Sequence, residues 1–278
     1  MTAAEFLYTV VCKPRPLRIA VNAVIRMLIP ESVRYGNIKV MLNPKDPVVS
    51  GALAFHQYEP DELAFVAANL RPGMTILDVG ANIGLYTALF ADAAQSHGMV
   101  IALEPDPENF FFLERTIAAN SFKNVKLVQA AAARGKGTMR LHTSSENRGD
   151  NRLYANELAD GGVDVAVVSL DELLPSMGVQ ELDFIKIDVQ GFEAHVLAGL
   201  EQTIRRSPKL TMLMEFWPDG LSRASSAPLG LLGQLESWGL ALHELGSRGQ
   251  TQPIVDKQAF IDRYPGRRYA NIIARARP

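Results

Sequence analysis

The stretch Met74-Thr75-Ile76-Leu77-Asp78-Val79, followed by Gly80-Ala81-Asn82-Ile83-Gly84-Leu85-Tyr86-Thr87, decides the fold. Its first six residues read as a buried strand, and the glycine-bearing turn leads straight into a helix spanning about residues 85–94. The same rhythm continues downstream. Residues 99–104 form a second strand, Pro107 suits the first turn of a helix that reaches Asn120, and residues 125–128 form a third strand. Residues 138–142 and 164–168 are strand-like and are separated by a polar segment, 143–160. Residues 183–188 and 210–215 are two more strands with a helix between them. Residues 241–245 and 269–274 supply the last strands, with a helical segment near 256–262. This alternation predicts an α/β fold with a doubly wound, mostly parallel sheet covered on both faces.

Upstream, residues 37–42 read as a short strand, and Pro44, Pro47 and Gly51 break the chain after it. Asp61 is placed to cap a helix through Asn69, which Arg71-Pro72-Gly73 ends. Leu17, Val21, Val24, Ile25 and Leu28 recur at helical spacing, with Arg18, Asn22 and Arg26 elsewhere on the turn. They predict an amphipathic helix docked on the main domain, the alternative being a membrane-surface helix. The apolar run 6–11 is broken by Lys13, Pro14, Arg15 and Pro16, so neither a transmembrane helix nor a signal peptide is expected. With no internal repeat, the expected organisation is an N-terminal extension, 1–50, and one domain, 51–278.

Composition narrows the classes. The 278 residues are 47% hydrophobic, with 28 basic against 30 acidic side chains and a formal net charge of −2. That apolar fraction excludes general disorder. Near-neutrality argues against a nucleic-acid partner. Cys12 is the single cysteine, so neither an intramolecular disulfide nor a zinc cage is available, and a reducing, cytoplasmic compartment is the natural expectation.

Ligands of such sheets sit beyond the carboxyl ends of the strands. Gly80 and Gly84 let backbone approach a ligand closely. A dinucleotide turn would read G-x-G-x-x-G, and the middle glycine is missing here. Asp78 would repel a pyrophosphate but suits a ligand with an ammonium group, such as the methionyl end of S-adenosylmethionine. Glu104 closes the next strand, where an acid accepts both ribose hydroxyl protons. Residues 120–130 are expected near the adenine.

The turn at 76–87, Glu104-Pro105, Ser169-Leu170-Asp171-Glu172-Leu173 and residues 183–193, with their K-x-D-x-x-G-x-E element, together resemble the FkbM-type methyltransferase family. Tyr58-Glu59-Pro60 is similar to the tyrosine–glutamate pair this family carries ahead of its glycine turn. The resemblance spans about residues 58–215. It implies a seven-stranded class I methyltransferase sheet and S-adenosylmethionine as donor. It also implies, as the usual acceptor, a hydroxyl oxygen of a sugar, polyketide or other secondary metabolite, glycolipids included. Tyr58, Glu59, Asp78, Gly80, Asn82, Gly84, Glu104 and Asp188 are the candidate cofactor-binding residues.

An alcohol is a poor nucleophile, so a base or a metal is expected beside it. Lys186 and Asp188 share one face of their strand, with Asp188 at its carboxyl end. Asp188 is the first candidate for the catalytic group, as base or metal ligand, with Glu193 and Glu215 as second carboxylates and Lys186 as their ion-pair partner. The three carboxylates together are a candidate Mg²⁺ site, and Glu193 is equally suited to stabilise a helix N-terminus. His56 is the alternative base, followed by His142 and His195. In the polar segment, Asn147, Asp150, Asn151 and Arg152 suit a polyhydroxylated substrate, and Trp217 is placed to stack on a sugar or close the core. The rivals are an N-methyltransferase, although its asparagine–proline–proline–aromatic element is absent, and a catalytically silent scaffold of the same fold. The acceptor and the oligomeric state are not assigned by the sequence.

Overall fold

A computed structural model of the chain describes residues 15–144, 147–155, 159 and 161–277. The apolar run 6–11, Cys12, Lys13, Pro14 and parts of the polar segment 143–160 lie outside the described residues, as do the side chains of Leu17 and Arg18. The chain opens with α1 (Arg15–Leu28), the hairpin β1 (Ser32–Tyr35) and β2 (Ile38–Met41), then α2 (Val49–Ala54) and α3 (Pro60–Asn69). The alternating core follows as β3 (Thr75–Val79), α4 (Leu85–Ala94), β4 (Met99–Leu103), α5 (Pro107–Ala119) and β5 (Val125–Val128). Next come β6 (Ala131–Ala132), β7 (Gly137–Thr143), β8 (Gly161–Val168), α6 (Leu170–Ser176) and β9 (Phe184–Ile187). The remainder comprises α7 (Glu193–Ala198), α8 (Glu201–Arg206), β10 (Thr211–Phe216), α9 (Pro218–Arg223), α10 (Pro228–Ser237), β11 (Leu240–Leu245), β12 (Thr251–Pro253), α11 (Lys257–Asp262) and β13 (Ala270–Ala276).

The main sheet has eight strands in the order β12-β11-β13-β10-β9-β3-β4-β5. From β10 to β5 the pairing is parallel, and β13 runs antiparallel to both β10 and β11. The eighth strand, beyond the seven implied by the family, is the three-residue edge strand β12. The chain enters at β3, builds β4 and β5 on one side and returns to add β9 and β10 on the other. Order therefore reverses between β3 and β9, and the crevice at their carboxyl ends is where a ligand belongs.

Neighbouring residues of a strand point to opposite faces, and the two main cores divide accordingly. Leu77, Ile185, Ile187 and Met212 join the core beneath α6 to α8 and α10. Ile76, Phe184, Leu213 and Ile273 join the core beneath α3 to α5. That second core also contains Ile38, Val40, Met41 and Leu42, so the hairpin shares its packing with the sheet. Strand β2 is tied to α5 by side chains: Asn120 Oδ1 accepts from Lys39 N–H at 2.8 Å, and Asn120 Nδ2 donates to Lys39 O at 2.7 Å.

Several expectations are corrected. Residues 137–143 and 161–168 leave the main sheet and form a separate three-stranded sheet with β6. Its small core is Ala131, Leu141, Val165 and Val167. The helix at Pro60 is not capped by Asp61; Pro60 is the first helical residue, and Glu59 precedes it with φ 44°. Asp61 instead accepts the Arg248 backbone N–H at 2.7 Å. In α1, Val24 and Leu28 are exposed while Asn22 is buried, so the docked side is not the predicted stripe. Ile25 faces Gly51, where it fills the space a side chain would occupy. Strand β1 was not foreseen, although Tyr35-Gly36-Asn37 is a turn signal and Gly36 has φ 58°.

Replacing Asn120 by Ala strands the Lys39 amide and carbonyl. The expected cost is about 1–3 kcal/mol, read by urea denaturation, with faster hydrogen exchange confined to residues 38–41.

Candidate active site

A cavity of about 350 Å³ opens between the carboxyl ends of β3 and β9. Of the predicted cofactor residues, Tyr58, Glu59, Gly80, Asn82, Glu104 and Asp188 line it. Lys186, Glu215 and Trp217 line it as well, together with Asn147, Asp150, Asn151 and Arg152. Residues from six separate regions of the chain thus converge on one crevice.

Backbone geometry shows how tightly it is built. Gly80 has φ 85°, and a Cβ there would stand 2.0 Å from the Asp188 carbonyl oxygen, so only glycine fits. Glu59, Asn82 and Gln190 also line the cavity and have φ of 44°, 51° and 56°. Left-handed backbone is uncommon for non-glycine residues, and its concentration at one cavity marks a site held by its surroundings.

Glu104 is buried, and its two oxygens take the backbone N–H groups of Asn82 at 2.8 Å and Asp106 at 2.9 Å. Each oxygen keeps a second acceptor position. Burial pushes its pKa up to about 8. Asp78 is fully buried and lies behind the cavity wall: Thr87 Oγ1 donates to Oδ2 at 2.6 Å, and Oδ1 has no partner among the described residues. Burial raises its pKa to about 6, against the pull of Lys186 and Thr87. Gly84 does not line the cavity; it begins α4 with φ 90°, packed against Leu113.

Lys186 organises the acidic end. Its Nζ donates to Asp188 Oδ2 at 3.0 Å and sits 4.5 Å from the centre of the Tyr86 ring. Burial works against its charge, yet the carboxylates of Asp188, Glu59 and Asp78 more than reverse this and hold the ammonium firmly protonated. Tyr86 donates to Glu59 Oε2 at 2.7 Å, and Gln190 Nε2 bridges Asp188 at 3.0 Å and Glu215 at 3.3 Å. Burial first, and then the negative charges of Asp188, Glu193 and Glu59, push Glu215 well above the usual carboxylate range.

Other candidates lie elsewhere. Glu193 is fully buried but accepts the backbone N–H groups of Gly191 at 3.0 Å and Val189 at 3.3 Å; it holds the turn and does not line the cavity. His56 is exposed beside Tyr35, and His195 stacks on Phe192; neither lines the cavity, nor does His142. Among the described residues, no group of three or more His, Cys, Asp or Glu side chains is arranged to hold a metal ion. The predicted Mg²⁺ cluster therefore does not assemble: Glu193 Oε1 takes two backbone amides, Asp188 is paired with Lys186, and Glu215 accepts from Gln190.

The polar segment forms a wall. Arg148 pairs with Asp106 at 2.7 Å and Glu108 at 2.6 Å, and Asn151 Nδ2 donates to Asp106 at 2.5 Å, anchoring the loop to the start of α5. Asn147 accepts from Gly149 N–H at 3.0 Å, and Arg152 pairs with Asp150. Much of the hydrogen bonding expected to meet a substrate thus holds the loop itself. Arg152 lies 4.5 Å from the centre of the Trp217 ring, covering a face that a sugar would use. Asn120 is engaged by β2, while Ala130 and its neighbours Ala131 and Ala132 do line the cavity. Sequence reasoning missed Asp106, Arg148, Arg267 and Tyr269. Only Asp106, ahead of Pro107-Glu108 at a helix start, carried a signal.

Residues 78–237 match the methyltransferase FkbM domain, more than half of the chain, and the chain belongs to that family. It is 31% identical over 165 residues to methyltransferase sdnD of Sordaria araneosa, covering 49% of this chain and 63% of that protein. It is 29% identical over 161 residues to the 31-O-demethyl-FK506 methyltransferase FkbM of Streptomyces tacrolimicus, covering 48% of this chain and 61% of the relative. It is 26% identical over 159 residues to the 2-O-methyltransferase NoeI of Sinorhizobium fredii, covering 49% and 61%. The chain thus spans about three-fifths of the length of these curated relatives.

The chain therefore carries a methyltransferase domain of this family, for which S-adenosylmethionine is the expected methyl donor. The residues present fit that group. Glu104 has two acceptor positions free for a diol, Gly80 and Asn82 of the glycine turn line the cavity beside it, and the crevice is acidic where a sulfonium would lie.

Gly80→Ala should lose about 3 kcal/mol of stability, from the left-handed backbone and the clash with Asp188, measured by urea denaturation. A second expectation concerns pH. Glu104 ionises near 4.5 when exposed and near 8 in the fold. Between those values the folded protein binds the extra proton, so stability without ligand should fall as pH rises from about 5 to about 8. Glu104→Gln should flatten that slope in denaturation series across the range.

Proposed function

We propose that this methyltransferase acts on oxygen, with a hydroxyl of a small molecule as acceptor and Asp188 as the group that takes its proton. The observation that carries the reading is the position of Asp188. It lies at the carboxyl end of a central strand, in the same cavity as Glu104 and the glycine turn, held by Lys186 at 3.0 Å and Gln190 at 3.0 Å. The bound cofactor supplies an electrophilic methyl group on a sulfonium.

The remaining work falls to the chain. It must hold an acceptor oxygen in line with the methyl carbon, exclude water and remove a proton as the oxygen attacks. Lys186 fixes the carboxylate of Asp188 and leaves its other oxygen toward Gln190. Glu215, kept protonated by burial and by its acidic neighbours, is able to donate a hydrogen bond where Asp188 accepts one. An ion-paired carboxylate beside a carboxyl group raised by burial can serve as base and neutral partner. The names of two relatives specify oxygen as the atom methylated, which supports the same reading here.

Asp188→Asn should retain S-adenosylhomocysteine binding in calorimetry. Transfer of labelled methyl to a panel of sugars, glycolipids and polyketide-like alcohols should fall by about 10²- to 10⁴-fold. Unchanged turnover in this variant would remove Asp188 from the role of base.

A further inference from the structure

The cavity is not acidic throughout. Three arginines line it, and two are neutralised within the protein: Arg148 by Asp106 and Glu108, and Arg152 by Asp150. Arg267 also lines the cavity, is exposed, and has no carboxylate partner among the described residues.

Its loop is not free to wander. Trp217 Nε1 donates to Gly266 O at 2.6 Å, and Gly266 N–H donates to Asp219 Oδ1 at 3.2 Å. On the other side of Arg267, Arg268 lies 5.8 Å from the centre of the Tyr264 ring. Gly266 takes φ 67°, turning the chain immediately before the arginine. A residue of the cavity wall, Trp217, therefore positions the segment that carries the unpaired guanidinium. A planar fork of donors matches carboxylate and phosphate oxygens. Near the same space the ion-paired carboxylate of Asp188 disfavours an anion, so a charged acceptor is favoured with its charge at Arg267 and away from Asp188.

We propose that Arg267 is a specificity-determining residue that binds an anionic group of the acceptor, a carboxylate or a phosphate, and so turns the acceptor's hydroxyl toward Asp188. This rests on the hydroxyl-acceptor reading above. Trp217 acts as a positioning residue for Arg267, which gives the buried indole a role other than stacking on a sugar.

The test uses the protein loaded with S-adenosylhomocysteine, titrated calorimetrically with D-glucuronate, D-glucose 6-phosphate and D-glucose. The three share a ring and differ in the charge at the sixth carbon, so the two anionic arms separate carboxylate from phosphate. At least one anion should bind about tenfold more tightly than glucose, and added salt should erode the difference. Arg267→Gln should abolish the preference, with the affinity for S-adenosylhomocysteine and the thermal midpoint unchanged, and Arg267→Lys should keep part of it. Equal binding of all three, no binding of either anion, or an undiminished preference in Arg267→Gln overturns the proposal. If the unmutated protein fails to bind S-adenosylhomocysteine at all, the methyltransferase reading falls first and takes this one with it.

Discussion

The contact on which the site depends is between an absent side chain and a carbonyl. Gly80 and Asp188 belong to strands more than a hundred residues apart in sequence, yet the backbone of one presses on the other where a Cβ would stand 2.0 Å from oxygen. The Asp188 amide also donates to Val79 O at 3.0 Å, so the two strand ends are fixed by a hydrogen bond as well as by steric exclusion. One segment frames the cofactor and the other carries the proposed base. Their mutual placement is therefore set by the sheet and does not wait for a ligand.

Lys186 answers the electrostatic problem that this convergence creates. Four acidic residues, Glu59, Asp78, Asp188 and Glu215, lie within reach of one another with little water to separate them. Unrelieved, they would repel one another or give up their charges. A single buried ammonium, its flank against the Tyr86 ring, holds Asp188 in a fixed ion pair, while burial and its acidic neighbours raise Glu215 against the pull of the same ammonium. A buried pair of this kind contributes little net stability, because desolvation offsets the attraction; what it fixes is geometry.

The sheet was legible because its strands are short apolar runs separated by helix-period segments, and residues 75–79, 99–103 and 184–187 fall where the pattern puts them. The acidic strand ends followed from the same pattern. Residues 137–143 and 161–168 misled because local strand propensity says nothing about which sheet a strand joins. That choice was made by Leu141, Val165 and Val167 closing on Ala131, a contact between distant segments. Glu193 looked catalytic from its place at a helix start, and only the positions of the Val189 and Gly191 amides show that its Oε1 holds the turn. Arg267 carried no signal at all, since an arginine in a polar loop looks the same whether it faces solvent or a cavity.

The three-stranded sheet has its own small core, and the wall beside it, residues 147–152, is moored to α5 chiefly through Asp106 and Glu108. The sheet meets the main body at one end, where Ala132 of β6 and Val168 of β8 pack into the core beneath α6 to α8, while Leu141, Val165 and Val167 stay outside both large cores. This side of the crevice is thus joined to the main body by a narrow apolar seam and a few polar anchors, whereas the strand ends at Gly80 and Asp188 are built into the sheet itself. Its length and surface chemistry can be rewritten by substitution or insertion while the donor side keeps its shape. An enzyme divided in this way can acquire a new substrate without having to rebuild the machinery that delivers the methyl group.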